Sequence, residues 1–229
     1  MIHLTRPELA ARIDHTILTP EASSNRVIEA ASVAVSNACA SVCVQPSMVA
    51  VAAEVVGARI AVCSVVGFPH GAGLSEVKAH EAAAVVAQGA TEVDMVADLS
   101  AIDDGDFGAV RADVARVRAA VPHVVLKVIV ESALWSPGRL RSACEAVVGA
   151  GADFVKTSTG FHPAGGADTG AVRTVVDCVG DRARVKASGG IRDLSTARAM
   201  LDAGAHRLGL SSTEVVLDGL SDLNGSSIS

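Results

Sequence analysis

The sequence predicts an α/β chain folded as one (β/α)₈ TIM barrel, a single domain over residues 1–229, and three observations point to it. Short β-branched runs alternate with alanine-rich stretches from one end to the other, the rhythm a parallel sheet needs to carry its crossover helices. Eight such pairs fit in 229 residues, a size at which a barrel closes as one unit. A Gly-Ala joint also recurs just ahead of strand-like runs, in QGATEVD, AGADFVK and AGAHRLG.

The elements follow in order after a lead-in over 1–12. IDHTIL predicts a strand near 13–18 and the alanine-rich stretch behind it a helix near 25–37. SVCVQ and IAVCSVV give strands near 41–45 and 60–66, with a helix near 47–57 between them. A helix near 75–88 leads into the TEVDMVA strand near 91–97, and a helix near 106–120 into VVLKVIV near 124–130. Helices near 138–149 and 169–179 flank the sixth strand, DFVKTS, near 153–158. Strands near 184–188 and 207–211, with helices near 193–203 and 213–219, complete the eight. Gly89, Gly151 and Gly204 fall where a left-handed residue ends each helix before the chain re-enters the barrel. The polar end SDLNGSSIS, from about 220, reads as a mobile tail.

Composition narrows the function. A net charge of −6, no basic run and 2% aromatic residues argue against a nucleic-acid partner, which needs a basic stripe and stacking rings. No run approaches the roughly 18 apolar residues of a membrane span, and the first residues lack a signal peptide's apolar stretch. Five cysteines, an odd number without a CxxC pair, read as free thiols in a reducing cytoplasm. Cys43 reads as a small buried hydrophobe. Seven histidines without HxH or HExxH spacing lower the case for a metal-dependent hydrolase. The acidic group Asp103, Asp104 and Asp106 lacks a calcium loop's alternation, so helix N-capping is its expected role.

Lysine usage carries the most information. Only four of the 19 basic residues are lysine, and Lys127, Lys156 and Lys186 lie inside apolar runs while Lys78 does not. An ammonium there must be paired or move toward its neutral form. Chemistry in such barrels belongs at the C-terminal ends of the strands. Strand parity puts Lys156 with Ser158 and Lys186 with Ser188, both facing the interior from adjacent strands. Two neighbouring ammonium groups disfavour each other's charge, so one can act as a free amine near neutral pH and attack a carbonyl. The alternative is that each lysine is paired to a core carboxylate.

Asp94 and Asp98 share a face of the fourth strand by parity, and either can hold a lysine protonated or relay protons. Pattern alone leaves that choice open. Asp14 and Thr16 are supporting groups or interior polar filling. Gly189 and Gly190, with Gly209, Ser211 and Ser212, occupy the corner where such barrels bind phosphate on bare backbone N–H groups.

The pieces IDHTIL, VVGFPHG, TEVDMV, KVIVES, ADFVKTSTG and VKASGGIRD, in this order over about residues 13–213, closely resemble the deoxyribose-phosphate aldolases. That resemblance implies a class I aldolase acting on 2-deoxy-D-ribose 5-phosphate in deoxyribonucleotide catabolism, without metal or cofactor. It places the Schiff-base lysine at Lys156, a second lysine at Lys186 and the proton relay at Asp94 in preference to Asp98. Asp14, Thr16 and Thr159 support them, and Gly160, Gly189, Gly190, Gly209, Ser211 and Ser212 hold the phosphate. Implied partners are small phosphorylated sugars and aldehydes, with no membrane; a homodimer or higher homo-oligomer stays open.

The chain departs from the pattern in three places. ADLS follows the strand-four motif, which adds the Asp98 charge near the site, and Phe161 stands where some relatives carry lysine. There is no tyrosine, so a tyrosine proton donor is excluded. The competing readings are another class I aldolase or a transaldolase, and a phosphosugar isomerase or binding barrel in which the lysines only hold substrate.

Overall fold

A computed structural model describes residues 4–225, with side chains to Leu220. Its strands are β1 (Ile13–Ile17), β2 (Ser41–Val44), β3 (Ala61–Val66), β4 (Glu92–Val96), β5 (Val125–Ile129), β6 (Phe154–Lys156), β7 (Arg184–Ser188) and β8 (Arg207–Leu210). All neighbours pair in parallel, and β8 returns to β1, so the sheet is a closed barrel in sequence order. The predicted fold is the observed one.

Around the barrel run α1 (Arg6–Ala10), α2 (Ser24–Ser36), α3 (Val49–Val56), α4 (Ser75–Ala87), α5 (Leu99–Asp104), α6 (Phe107–Ala120), α7 (Pro137–Gly149), α8 (Thr169–Val179), α9 (Leu194–Asp202) and α10 (Thr213–Gly225). Their inward faces are mostly valine and alanine, such as Val27, Ala30, Ala31 and Ala34 of α2. Each fully buried valine or leucine contributes roughly 1.5–3 kcal/mol, and the small alanines let helices sit close to the strands. The Gly-Ala joints behave as expected: Gly89, Gly151 and Gly204 all have positive φ.

Several expectations need correction. The lead-in contains α1, started by a capping box between Thr5 and Glu8 with Pro7 in its first turn. β6 stops at Lys156, short of 158: Thr157 still bonds to the backbone of Lys186 and Ser132, but the chain then turns, and Thr159 N–H donates to the Glu131 carboxylate. Asp103 and Asp104 are not caps. They end α5, whose N-cap is Asp98, and of the three acids only Asp106 caps a helix, α6. α10 continues past 219 to Gly225, so the expected tail begins as helix; residues 226–229 lie outside the described residues. Lys78, which the sequence left unremarkable, is also buried. It pairs with Asp113 at 2.8 Å and donates to the Val96 carbonyl, joining α4 to α6 and β4.

No helix among the described residues is long and apolar enough to cross a membrane.

Candidate active site

The register of the barrel brings the site together. Asp94 is level with Lys127 across β4–β5, and Lys156 is level with Lys186 across β6–β7. Parity turns these side chains, with Asp14 of β1 and Glu92 of β4, into the barrel interior. Asp94 is their hub: Lys156 and Lys186 both donate to its Oδ2, at 2.8 and 2.7 Å, and Lys127 donates to Oδ1 at 2.8 Å. Lys186 also lies 2.5 Å from Asp14, and Lys127 lies 2.6 Å from Glu92. Arg207 closes the network through Asp14 at 2.6 Å.

Both lysines expected to face each other are therefore paired to a carboxylate. Burial works against the charge of Lys186, but Asp14 and Asp94 overcome it and raise its pKa. Burial likewise opposes the charge of Lys127, which Asp94, Cys63, Asp14 and Glu92 more than restore. Asp94 is buried too, yet Lys127, Lys156 and Lys186 together hold its carboxyl well below the ordinary value. The repulsion between lysines foreseen from the sequence is thus answered by two acids on the same interior face. The network counts four basic groups (Lys127, Lys156, Lys186, Arg207) against three acids (Asp14, Glu92, Asp94). One of the four can be an uncharged amine without leaving a carboxylate unpaired.

Above this network opens a cavity of about 450 Å³, and Lys156 is the lysine that lines it. Lys127 and Lys186 are fully buried beneath. Thr16, Thr159, Gly160, Gly189, Gly190, Gly209 and Ser211 also line the cavity. Ser212 does not; its carbonyl accepts from Val216 N–H as α10 begins. Gly160, Gly189 and Gly190 all take positive φ, which glycine adopts without steric cost. At Gly189 a β-carbon would also meet the Cα of Gly166 at 2.9 Å, so two loop backbones touch there. Asp98 is not at the site: its carboxylate accepts from Ala101 N–H and Ser100 Oγ at the start of α5.

Sequence reasoning assigned no role to Lys127, Glu92, Arg207 or Glu131. Parity along TEVD does place Glu92 on the face of Asp94, a signal that was available. Glu131 follows an apolar strand run, adopts φ 48°, and is 1% exposed. It accepts from Thr159 Oγ1 at 2.6 Å and from Thr159 N–H, fixing the turn after Lys156. Phe161 meets Phe68 edge-on at 5.2 Å and gives the cavity an apolar flank. Cys43, Cys63 and Asp94 bring possible ligand atoms within 4.8 Å of each other. Both oxygens of Asp94 already accept from ammonium groups, so a cation there would have to displace lysine.

The family model for DeoC/LacD family aldolases matches residues 9–220. The chain belongs to that family. A deoxyribose-phosphate aldolase of Mycobacterium avium (strain 104) is 55% identical over 220 residues, 94% of this chain and 98% of that protein. That of Kocuria rhizophila is 56% identical over 218 residues, 95% of this chain and 99% of that protein. Among solved structures, the tetrameric deoxyribose phosphate aldolase of Aeropyrum pernix superimposes with a TM-score of 0.87 at 36% identity. That match covers 96% of this chain and 93% of the other.

Proposed function

We propose that this aldolase cleaves 2-deoxy-D-ribose 5-phosphate, reversibly, to D-glyceraldehyde 3-phosphate and acetaldehyde, with Lys156 as its Schiff-base nucleophile. One observation carries the choice of nucleophile: of the three lysines on Asp94, Lys156 is the one that reaches the cavity. Its free amine attacks the C1 aldehyde, and loss of water gives a protonated imine. That cation is an electron sink, so the C2–C3 bond breaks once the C3 hydroxyl gives up its proton. Glyceraldehyde 3-phosphate leaves, and the enamine on Lys156 is protonated and hydrolysed to acetaldehyde.

The surrounding residues divide the remaining work. Asp94, ionised and bonded to both lysines, takes and returns the protons handed over at Lys156. Lys186 stays an ammonium and keeps Asp94 in place. Backbone N–H groups at Gly189 and Gly190, with Gly160, Gly209, Ser211 and Ser212, hold the phosphate; the cavity lining supports all but Ser212. Asp14, Thr16 and Thr159 brace the walls. The five cysteines stand as free thiols, which suits a reducing cytoplasm.

Borohydride with acetaldehyde tests the assignment. Reduction should inactivate the protein and leave one ethyl group on Lys156, read by peptide mass spectrometry. An adduct on Lys186 or Lys127 would give the nucleophile to another lysine. No adduct at all would favour an isomerase or binding barrel.

A further inference from the structure

Resting on the phosphate subsite above, we propose that Arg26 determines this enzyme's preference for phosphorylated over unphosphorylated substrate. It supplies, with Arg192, the positive charge that the glycine and serine donors lack. Barrel closure is the first reason. β8 pairs with β1, so the first turn of α2, just beyond β1, comes round beside the loops that follow β7 and β8. Arg26 and Arg192 line the same cavity as Gly189, Gly190, Gly209 and Ser211.

The second reason is that Arg26 is free. Arg6, Arg118, Arg182 and Arg207 each hold a carboxylate at 2.6–2.7 Å. Arg26 has no ion pair or side-chain hydrogen bond among the described residues; only its backbone N–H is engaged, with the Ser23 hydroxyl. Its side chain is exposed at the cavity. The third reason is charge. Backbone N–H groups orient a phosphate but carry no net charge, and Phe161 beside Gly160 offers none. A guanidinium brings a full charge and a planar fork that matches two phosphate oxygens at once.

Steady-state kinetics on Arg26→Ala and Arg26→Lys, with 2-deoxyribose 5-phosphate and with 2-deoxyribose, decide the matter. A charge-assisted contact of this kind corresponds to about a tenfold to hundredfold rise in KM for the phosphorylated sugar. The loss in kcat/KM should be far larger on that substrate than on 2-deoxyribose. Arg26→Lys should recover part of it, and inorganic phosphate should weaken as a competitive inhibitor of Arg26→Ala by a similar factor. An unchanged KM, or equal losses on both sugars, would overturn the assignment. Gly190→Ala, measured alongside, separates the two levels of the argument. If it erases the preference while Arg26→Ala keeps it, the subsite stands and Arg26 is wrong. If neither variant alters the preference, the subsite fails and the role of Arg26 fails with it.

Discussion

Asp94 Oδ2 accepts from two lysines that differ in what else holds them. Lys186 has Asp14 as a second acid, whereas Asp94 is the carboxylate on Lys156. Replacing Lys186 by leucine removes a cation beside Lys156 and leaves Asp94 more strongly drawn to it. Both effects favour the ammonium of Lys156 over its free amine. Turnover should fall by orders of magnitude at neutral pH, and the acidic limb of the pH–rate profile should move to higher pH. A variant whose acidic limb stays in place would show that the two lysines are uncoupled. Apolar context marked Lys127, Lys156 and Lys186 alike, since an ammonium in such runs is anomalous by itself. Strand parity, with the adjacency of the sixth and seventh strands, narrowed the three to Lys156 and Lys186. The acids between them were less legible. Asp14 is 80 residues from Asp94 in the sequence, and only barrel closure brings it to Lys186.

The strand ends show how loops build the site. β4 ends at Val96, and the chain turns at once into α5, capped by Asp98. A side-chain cap is worth about 0.5–2 kcal/mol. Asp98→Ala should therefore lower stability by about that amount in denaturant unfolding while turnover stays within about twofold of wild type. A loss of turnover as large as that of an Asp94 variant would return the proton relay to Asp98. Parity left the two aspartates equivalent because it records which face a residue takes, not whether the strand still continues. The same limit explains β6, read two residues too long: Thr157 still bonds to the backbone of Lys186 and Ser132, but by Thr159 the chain has turned and is held by the Glu131 carboxylate. Short helices such as α1 and α5 were missed for a related reason. They bury only two residues each, Leu9 and Ala10 or Ala101 and Ile102, too few to establish a period.

Across the whole molecule the buried charges link function to stability. Asp14 and Asp94 have pKa values below the ordinary 3.8, so their contribution is complete above pH 3.8 and is lost only as pH falls through the lowered values. Lys127 and Lys186 lie above the ordinary 10.5, so theirs is complete below pH 10.5 and is lost as pH rises through the raised values. Between these limits the contribution of these four groups does not vary with pH. Asp94→Asn breaks this arrangement, because Lys127 keeps Glu92 and Lys186 keeps Asp14 but Lys156 keeps no acid. Leaving one partner of a buried pair uncompensated costs about 3–5 kcal/mol. In a chain of this size that lowers Tm at neutral pH by roughly 6–20 °C. A buried lysine without an acid is easier to deprotonate than the same lysine unfolded, so in the variant the unfolded state binds more protons and stability rises with pH. The Tm gap between wild type and Asp94→Asn should accordingly narrow from pH 7 to pH 9.5. Calorimetry of the two proteins at both values measures it. A gap that stays constant or widens would mean that the lysines find other partners when Asp94 is lost, and that the network is not held together at this residue.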